Sequence, residues 1–211
     1  MGSYFDFALM AFTSFFTLIN PIGVMPVFIT MTSELEQKNR NRTAFKAVVV
    51  AFFTLLLFMF TGNFLFHFFG ISINSLRIVG GIIFFMMGQD MLQARLAKTK
   101  IRSSEIKQYV NDISITPLAI PMICGPGAIT NAIVLMGDAE DLPKKIILIA
   151  AILIVLLITL IVLYSGSKIS KKLGETGLSV LMRLMGLIVM VIAVEFFFSG
   201  LKPIIQDILA R

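Results

Sequence analysis

The chain has 211 residues, 57% of them hydrophobic and only 14% charged, with 20 Phe, no Trp and a formal charge of +6. Apolar runs that repeatedly exceed about 18 residues exclude a water-soluble core, which is built from shorter apolar segments interrupted by surface residues. The basic residues fall in the connectors between those runs, which excludes a nucleic-acid-binding domain, and the single cysteine, Cys124, excludes an intrachain disulfide.

In chain order the runs predict six transmembrane helices: Phe5 to Met31, Thr43 to Phe69, Ile71 to Leu92, Ile113 to Gly137, Ile146 to Tyr164 and Ser179 to Gly200. Each covers a hydrocarbon layer of about 30 Å at about 1.5 Å per residue. Helices are required because an unpaired backbone group in lipid costs several kcal/mol. The first run lacks the basic leader of a cleaved signal peptide and reads as a retained span. The fold class is therefore an all-α membrane protein, with residues 1–211 as one transmembrane domain.

Connector charge predicts the orientation. Lys38, Arg40, Arg42 and Lys46 follow the first span; Arg95, Lys98, Lys100, Arg102 and Lys107 follow the third; Lys168, Lys171 and Lys172 follow the fifth. These sides are expected in the cytoplasm. The opposite side has Lys144 and Lys145 balanced by Asp138, Glu140 and Asp141, a nearly charge-free turn over 70–74, and tails with only Lys202 and Arg211, so both termini are expected outside.

The halves resemble each other at an offset of 105 or 106 residues: Asn20-Pro21-Ile22-Gly23 aligns with Gly125-Pro126-Gly127-Ala128, and Leu76-Arg77-Ile78-Val79-Gly80 with Met182-Arg183-Leu184-Met185-Gly186. Repeat one covers about 5–92 and repeat two about 113–200, joined by a basic cytoplasmic loop over about 93–112. Three spans per repeat place the second upside down, the inverted architecture common among secondary transporters.

Pro21 and Pro126 lie near midspan, where a missing N–H and a ring clash break a helix. Gly23, Gly125 and Gly127 permit the backbone to turn there, and Asn20 can cap a restarted helix. A helix ending at the midplane offers carbonyls to a cation and one starting there offers amides to an anion. With Thr17, Thr130 and Asn131 as the nearby polar side chains and only Asp6 charged on these two spans, the expected ligand is a small zwitterion. The plain alternative is that proline kinks and glycines are ordinary packing features of membrane helices.

Arg77, Arg183, Glu195 and Asp90 are candidate coupling or gating residues, with Arg77–Glu195 and Arg183–Asp90 as mirror-image ion pairs; the competing reading has the arginines reaching out to headgroups. A proton or a sodium ion is a candidate coupling ion. His67 reads as an interfacial residue, Cys124 as packing, and Phe196 to Phe198 as lipid-facing or packing surface.

Together the Asn20-Pro21-Ile22-Gly23 motif, the Gly70-Ile71-Ser72-Ile73 turn leading into Leu76 to Gly81, and Pro117-Leu118-Ala119-Ile120-Pro121 followed by Gly125 to Ile129 resemble the MarC family of bacterial and archaeal inner-membrane proteins. The resemblance covers nearly the whole chain. It implies a multi-pass protein of the cytoplasmic membrane and transport of small neutral amino acids of the glycine and alanine class, with the two Pro-Gly motifs as the substrate site. A passive channel for small polar solutes and a drug or metabolite efflux protein are the alternatives. No HExxH, GxSxG or phosphate-binding loop appears, so no enzyme activity, metal or cofactor is expected.

Overall fold

A computed structural model describes residues 4–93 and 106–209, apart from the side chains at 107, 167, 170, 171, 173 and 175. Arg95, Lys98, Lys100 and Arg102 of the basic loop, and Arg211, lie outside the described residues, as do the side chains of Lys107 and Lys171. Among the described residues every regular element is helical.

The first span is α1 (Tyr4–Ile19) followed by α2 (Pro21–Met31). On α1 the buried residues Phe7, Ala11, Phe15 and Ile19 recur every four positions, the stripe by which an amphipathic helix packs. α3 (Gln37–Phe69) buries Val48 and Leu55 together with Ala44, Ala47 and Ala51, whose small side chains let neighbouring helices approach closely. It ends at Gly70, and α4 (Ile73–Leu92) starts where the Ser72 hydroxyl accepts the Ser75 N–H at 3.0 Å. The fourth span is compound: α5 (Ile106–Ile113), an irregular coiled segment over Ser114–Ile123, and α6 (Pro126–Asp138).

Helix then runs over Leu142–Leu209 and is turned at Gly174, whose φ of 65° suits a residue without Cβ. Its membrane-length limbs are Leu142–Gly166 (α7) and Thr176–Leu209 (α8). Gly166 and Met182 both meet the C-terminal half of α2, at Ile29 and Thr30, so α8 returns from the level where α7 ended. By length and composition five helices can cross a membrane, and the bent pair of the fourth span brings the number to six.

α1, α2, α3, α6 and α7 supply most of the buried core, while α4 and α8 pair along one side. That pair is antiparallel and nearly backbone to backbone. A Cβ on Gly88 would lie 2.8 Å from the Gly186 carbonyl oxygen, one on Gly81 2.7 Å from that of Ala193, and one on Gly200 2.5 Å from that of Asn74. Small residues are what allow helices in lipid to associate by close packing.

The ends of the bundle are tied by polar contacts. Arg40 Nε donates to the carbonyls of Thr32 (2.7 Å) and Leu35 (3.0 Å) and Nη2 to Ser33 (2.6 Å), clamping the turn after α2. Tyr109 donates to the Met31 carbonyl at 2.9 Å and Lys46 to Asn111 at 2.6 Å, anchoring α5 on the same side. At the other end the Tyr4 hydroxyl donates to Asp141 at 3.1 Å, and Asp141 caps α7 through the Lys144 N–H at 2.9 Å. That N–H bond is the main reason the Asp141 carboxyl is held below the usual carboxylate range.

Candidate functional site

The helix of the first span is interrupted at Asn20, a non-glycine residue in the left-handed region at φ 48°, ψ 68°. Its N–H still donates to the Phe16 carbonyl at 3.0 Å, and its own carbonyl accepts from Gly23 at 2.9 Å and Val24 at 3.1 Å. The side-chain Oδ1 accepts the Gly23 N–H as well, at 3.1 Å, so Asn20 caps the helix that restarts at Pro21. Two acceptors are released. The Thr17 carbonyl faces a proline that has no N–H, and the Ile19 carbonyl loses Gly23, which has turned to Asn20.

A cavity of about 40 Å³ opens at this break. Asn20 and Gly23 line it from the break, Phe84 and Met87 from α4, Val189 and Ile192 from α8, and Met122 from the segment before α6. That is above the about 10–15 Å³ a cavity needs to hold a water. No charged side chain lines it.

The second break is built differently. Thr116 and Ile120 are extended, each preceding a proline joined by a cis peptide bond, as the steric demands of a following proline favour. The Cys124 N–H reaches back to the Ala119 carbonyl at 2.8 Å, and the chain bends by 59° before α6 begins behind Gly125 with Pro126 in its first turn. No side chain caps α6.

The two breaks meet through aromatic rings. A Cβ on Gly125 would lie 2.4 Å from Phe84 Cζ, and one on Gly127 2.3 Å from Phe196 Cζ and 3.1 Å from Leu18 Cδ2. The rings of Phe84 and Phe196 lie with centroids 6.4 Å apart, so Phe84 stands between the cavity at Asn20 and the backbone of Gly125. Pro126 packs on Gly80 of α4.

Of the residues expected at the site, Asn20, Pro21, Gly23, Gly125, Pro126, Gly127 and Thr130 gather around the two breaks. Thr130 is only 3% exposed, and its hydroxyl has no hydrogen-bond partner. Asn131 instead donates to Ser14 at 3.0 Å, tying α6 to α1. Thr17 points outward with its hydroxyl on the Thr13 carbonyl at 2.8 Å.

The expected ion pairs need correction. Among the described residues neither Arg77 with Glu195 nor Arg183 with Asp90 forms one. Glu195, Arg183 and Asp90 lie on exposed faces of α8 and α4, and half-buried Arg77 spends its Cβ against Gly200 in the seam. The antiparallel seam lets these charges point away from one another. Sequence reasoning missed Phe84, Met122, Phe196 and the other apolar residues at the breaks; the 3.6-residue period marks them as packing positions and carries no sign of what they pack against.

Known proteins place the chain among integral membrane proteins. It is 37% identical over 199 residues to a UPF0056 membrane protein of Methanocaldococcus jannaschii, covering 93% of this chain and 97% of that one. Against one from Pyrococcus horikoshii the identity is 37% over 194 residues, 92% and 94% of the two chains. The UPF0056 membrane protein YvbG of Bacillus subtilis is 36% identical over 201 residues, 94% and 95%. No solved structure matches the chain. The family profile described as "MarC family integral membrane protein" spans residues 5–205, and the chain belongs to that family.

Proposed function

We propose that this protein is a secondary transporter of small neutral amino acids, of glycine and alanine size, which binds its substrate between the broken helices of the first and fourth spans. One observation carries the reading: a cavity lies at a break in the membrane-spanning backbone, and residues from both halves of the chain line it. Phe84 and Val189, and Met87 and Ile192, all line that cavity and are each separated by 105 residues, the interval that also separates Asn20 from Gly125. This register supports two inverted repeats meeting around a shared site, with both termini outside the cytoplasmic membrane and the basic connectors within.

A cavity without a charged lining suits a ligand of zero net charge, and its small volume suits one that enters as the two repeats rock apart. The test is uptake of labelled glycine and alanine into proteoliposomes, with proton and sodium gradients imposed separately. Saturable flux that exchanges with internal substrate supports a carrier. Linear flux indifferent to internal substrate supports a channel, and absence of amino-acid flux beside gradient-driven loss of a drug supports efflux.

A further inference from the structure

The seam of α4 and α8 closes on small residues, and its lipid side is left as a groove of about 250 Å³. Gly81 and Ala193 form its floor, Ile82 and Met86 one bank, Val194 and Phe198 the other, and no polar side chain lines it. The four bank residues are 41–61% exposed, so the groove opens to the surroundings of the spans and not to the cavity at Asn20. Two positive charges stand at one end of it. Arg77 lies four residues before Gly81 on α4 and Lys202 four residues after Phe198 on α8, each one turn, about 6 Å, from a residue of the groove. Because the helices are antiparallel, both charges lie toward the end where α4 begins. Arg77 is half-buried beside Gly200, Lys202 is exposed, and among the described residues neither forms an ion pair. Glu195, the carboxylate of this span, is seven residues, about 10 Å, deeper than Lys202.

We propose that this groove holds one phospholipid with an anionic headgroup, an acyl chain lying along the floor and the phosphate against Lys202 and Arg77. An apolar trough with a cationic end matches the two parts of such a lipid, and a guanidinium suits phosphate. Charge also decides against a second copy of the chain as the occupant. A two-fold interface through this face repeats each charge at the same depth, which sets Lys202 and Arg77 beside the same positive charges of the other copy. The lipid site is independent of the transporter reading, since it uses the opposite side of the α4–α8 pair from the cavity at Asn20.

Native mass spectrometry of the full chain, titrated in detergent with phosphatidylglycerol, with phosphatidylethanolamine of the same chains and with glycerol 3-phosphate, tests this. The wild type retains one phosphatidylglycerol, at least about tenfold more tightly than phosphatidylethanolamine, and glycerol 3-phosphate does not displace it. Lys202→Gln weakens phosphatidylglycerol about fivefold, the weight of one basic residue beside an anionic lipid, and leaves phosphatidylethanolamine unchanged. Ile82→Trp fills the groove and weakens both lipids. Both positions are exposed, so these variants are expected to melt with the wild type. Equal retention of the two lipids by the wild type overturns the site, as does unchanged phosphatidylglycerol binding in Lys202→Gln or in Ile82→Trp. Displacement by glycerol 3-phosphate overturns the acyl-chain assignment and leaves a bare anion site. A lipid-free dimer that Ile82→Trp dissociates puts a second copy in the groove and overturns the proposal. If Ile82→Trp fails to fold, the comparison of the two lipids and Lys202→Gln decide.

Discussion

Phe84 and Gly125 share a contact that leaves no room for a side chain at position 125: a Cβ there would lie 2.4 Å from the ring and 2.7 Å from the Pro121 carbonyl oxygen. Gly127 is pressed equally hard, but by side chains alone, those of Phe196 and Leu18. The difference between backbone and side-chain neighbours gives a prediction. Gly125→Ala and Gly127→Ala each lower stability by about 1–3 kcal/mol through overpacking. Phe196→Leu restores most of the loss in Gly127→Ala, whereas Phe84→Leu restores only part of the loss in Gly125→Ala, because the carbonyl cannot move aside. Thermal unfolding of the single and double variants in detergent checks this; equal rescue at both sites would show that the ring, and not the Pro121 backbone, limits position 125.

Asn20 combines a backbone conformation and a cap, and the two separate by substitution. Asn20→Gly keeps the left-handed backbone at no steric cost but loses the bond to the Gly23 N–H. Asn20→Ala loses the cap as well and keeps a Cβ in the left-handed region without the side-chain hydrogen bond that helps asparagine there, at a cost of about 1–2 kcal/mol relative to the glycine variant. Melting temperatures are expected to fall in the order wild type, Asn20→Gly, Asn20→Ala. Were the alanine variant the more stable of the two, the break would not depend on the geometry at φ 48°.

The sites that were legible in the sequence are those where chemistry is local. Pro21 and Pro126 lie near midspan beside glycines and lack the N–H a continuing helix needs, and Asn20 beside Gly23 announces a cap. The spans were legible because lipid demands long apolar runs, and the helices overrun the expected ends chiefly where polar turns such as 37–42 carry on as helix beyond the membrane. Thr17 was misjudged by proximity along the chain. On α1 the buried stripe runs through Phe15 and Ile19, and a residue midway between them faces the other way by about 200° at 3.6 residues per turn. Phe84 and Phe196 could not be singled out, because an apolar residue on a helix says only that it packs. Their partners, Gly125 and Gly127, lie on other elements, 41 and 69 residues away along the chain.

Arg77 and Glu195 invite a charge exchange, since both lie within spans and by sequence share a side of the membrane. The structure keeps them apart, with Arg77 packed on Gly200 and Glu195 exposed. Sites without a shared partner add within about 0.3–0.5 kcal/mol. Arg77→Gln combined with Glu195→Gln is therefore expected to be additive in stability, and Arg77→Glu with Glu195→Arg to rescue nothing lost in either single variant. A double-mutant coupling above about 1 kcal/mol would mean the two side chains meet in another state of the protein.

Thr130→Val tests whether a buried hydroxyl without a partner weakens the fold. Valine keeps the β-branched shape and removes a buried hydroxyl without a partner, a group that costs about 1–3 kcal/mol when left unsatisfied. The variant is expected to melt higher, by an increment equivalent to about 1 kcal/mol. A hydroxyl held by an internal partner reverses the sign. Thr159 is the control: it is also buried, but its hydroxyl donates to the Val155 carbonyl at 2.8 Å, so Thr159→Val gives up a bond and is expected to melt lower or unchanged. If both variants melt lower, the Thr130 hydroxyl is satisfied within the bundle.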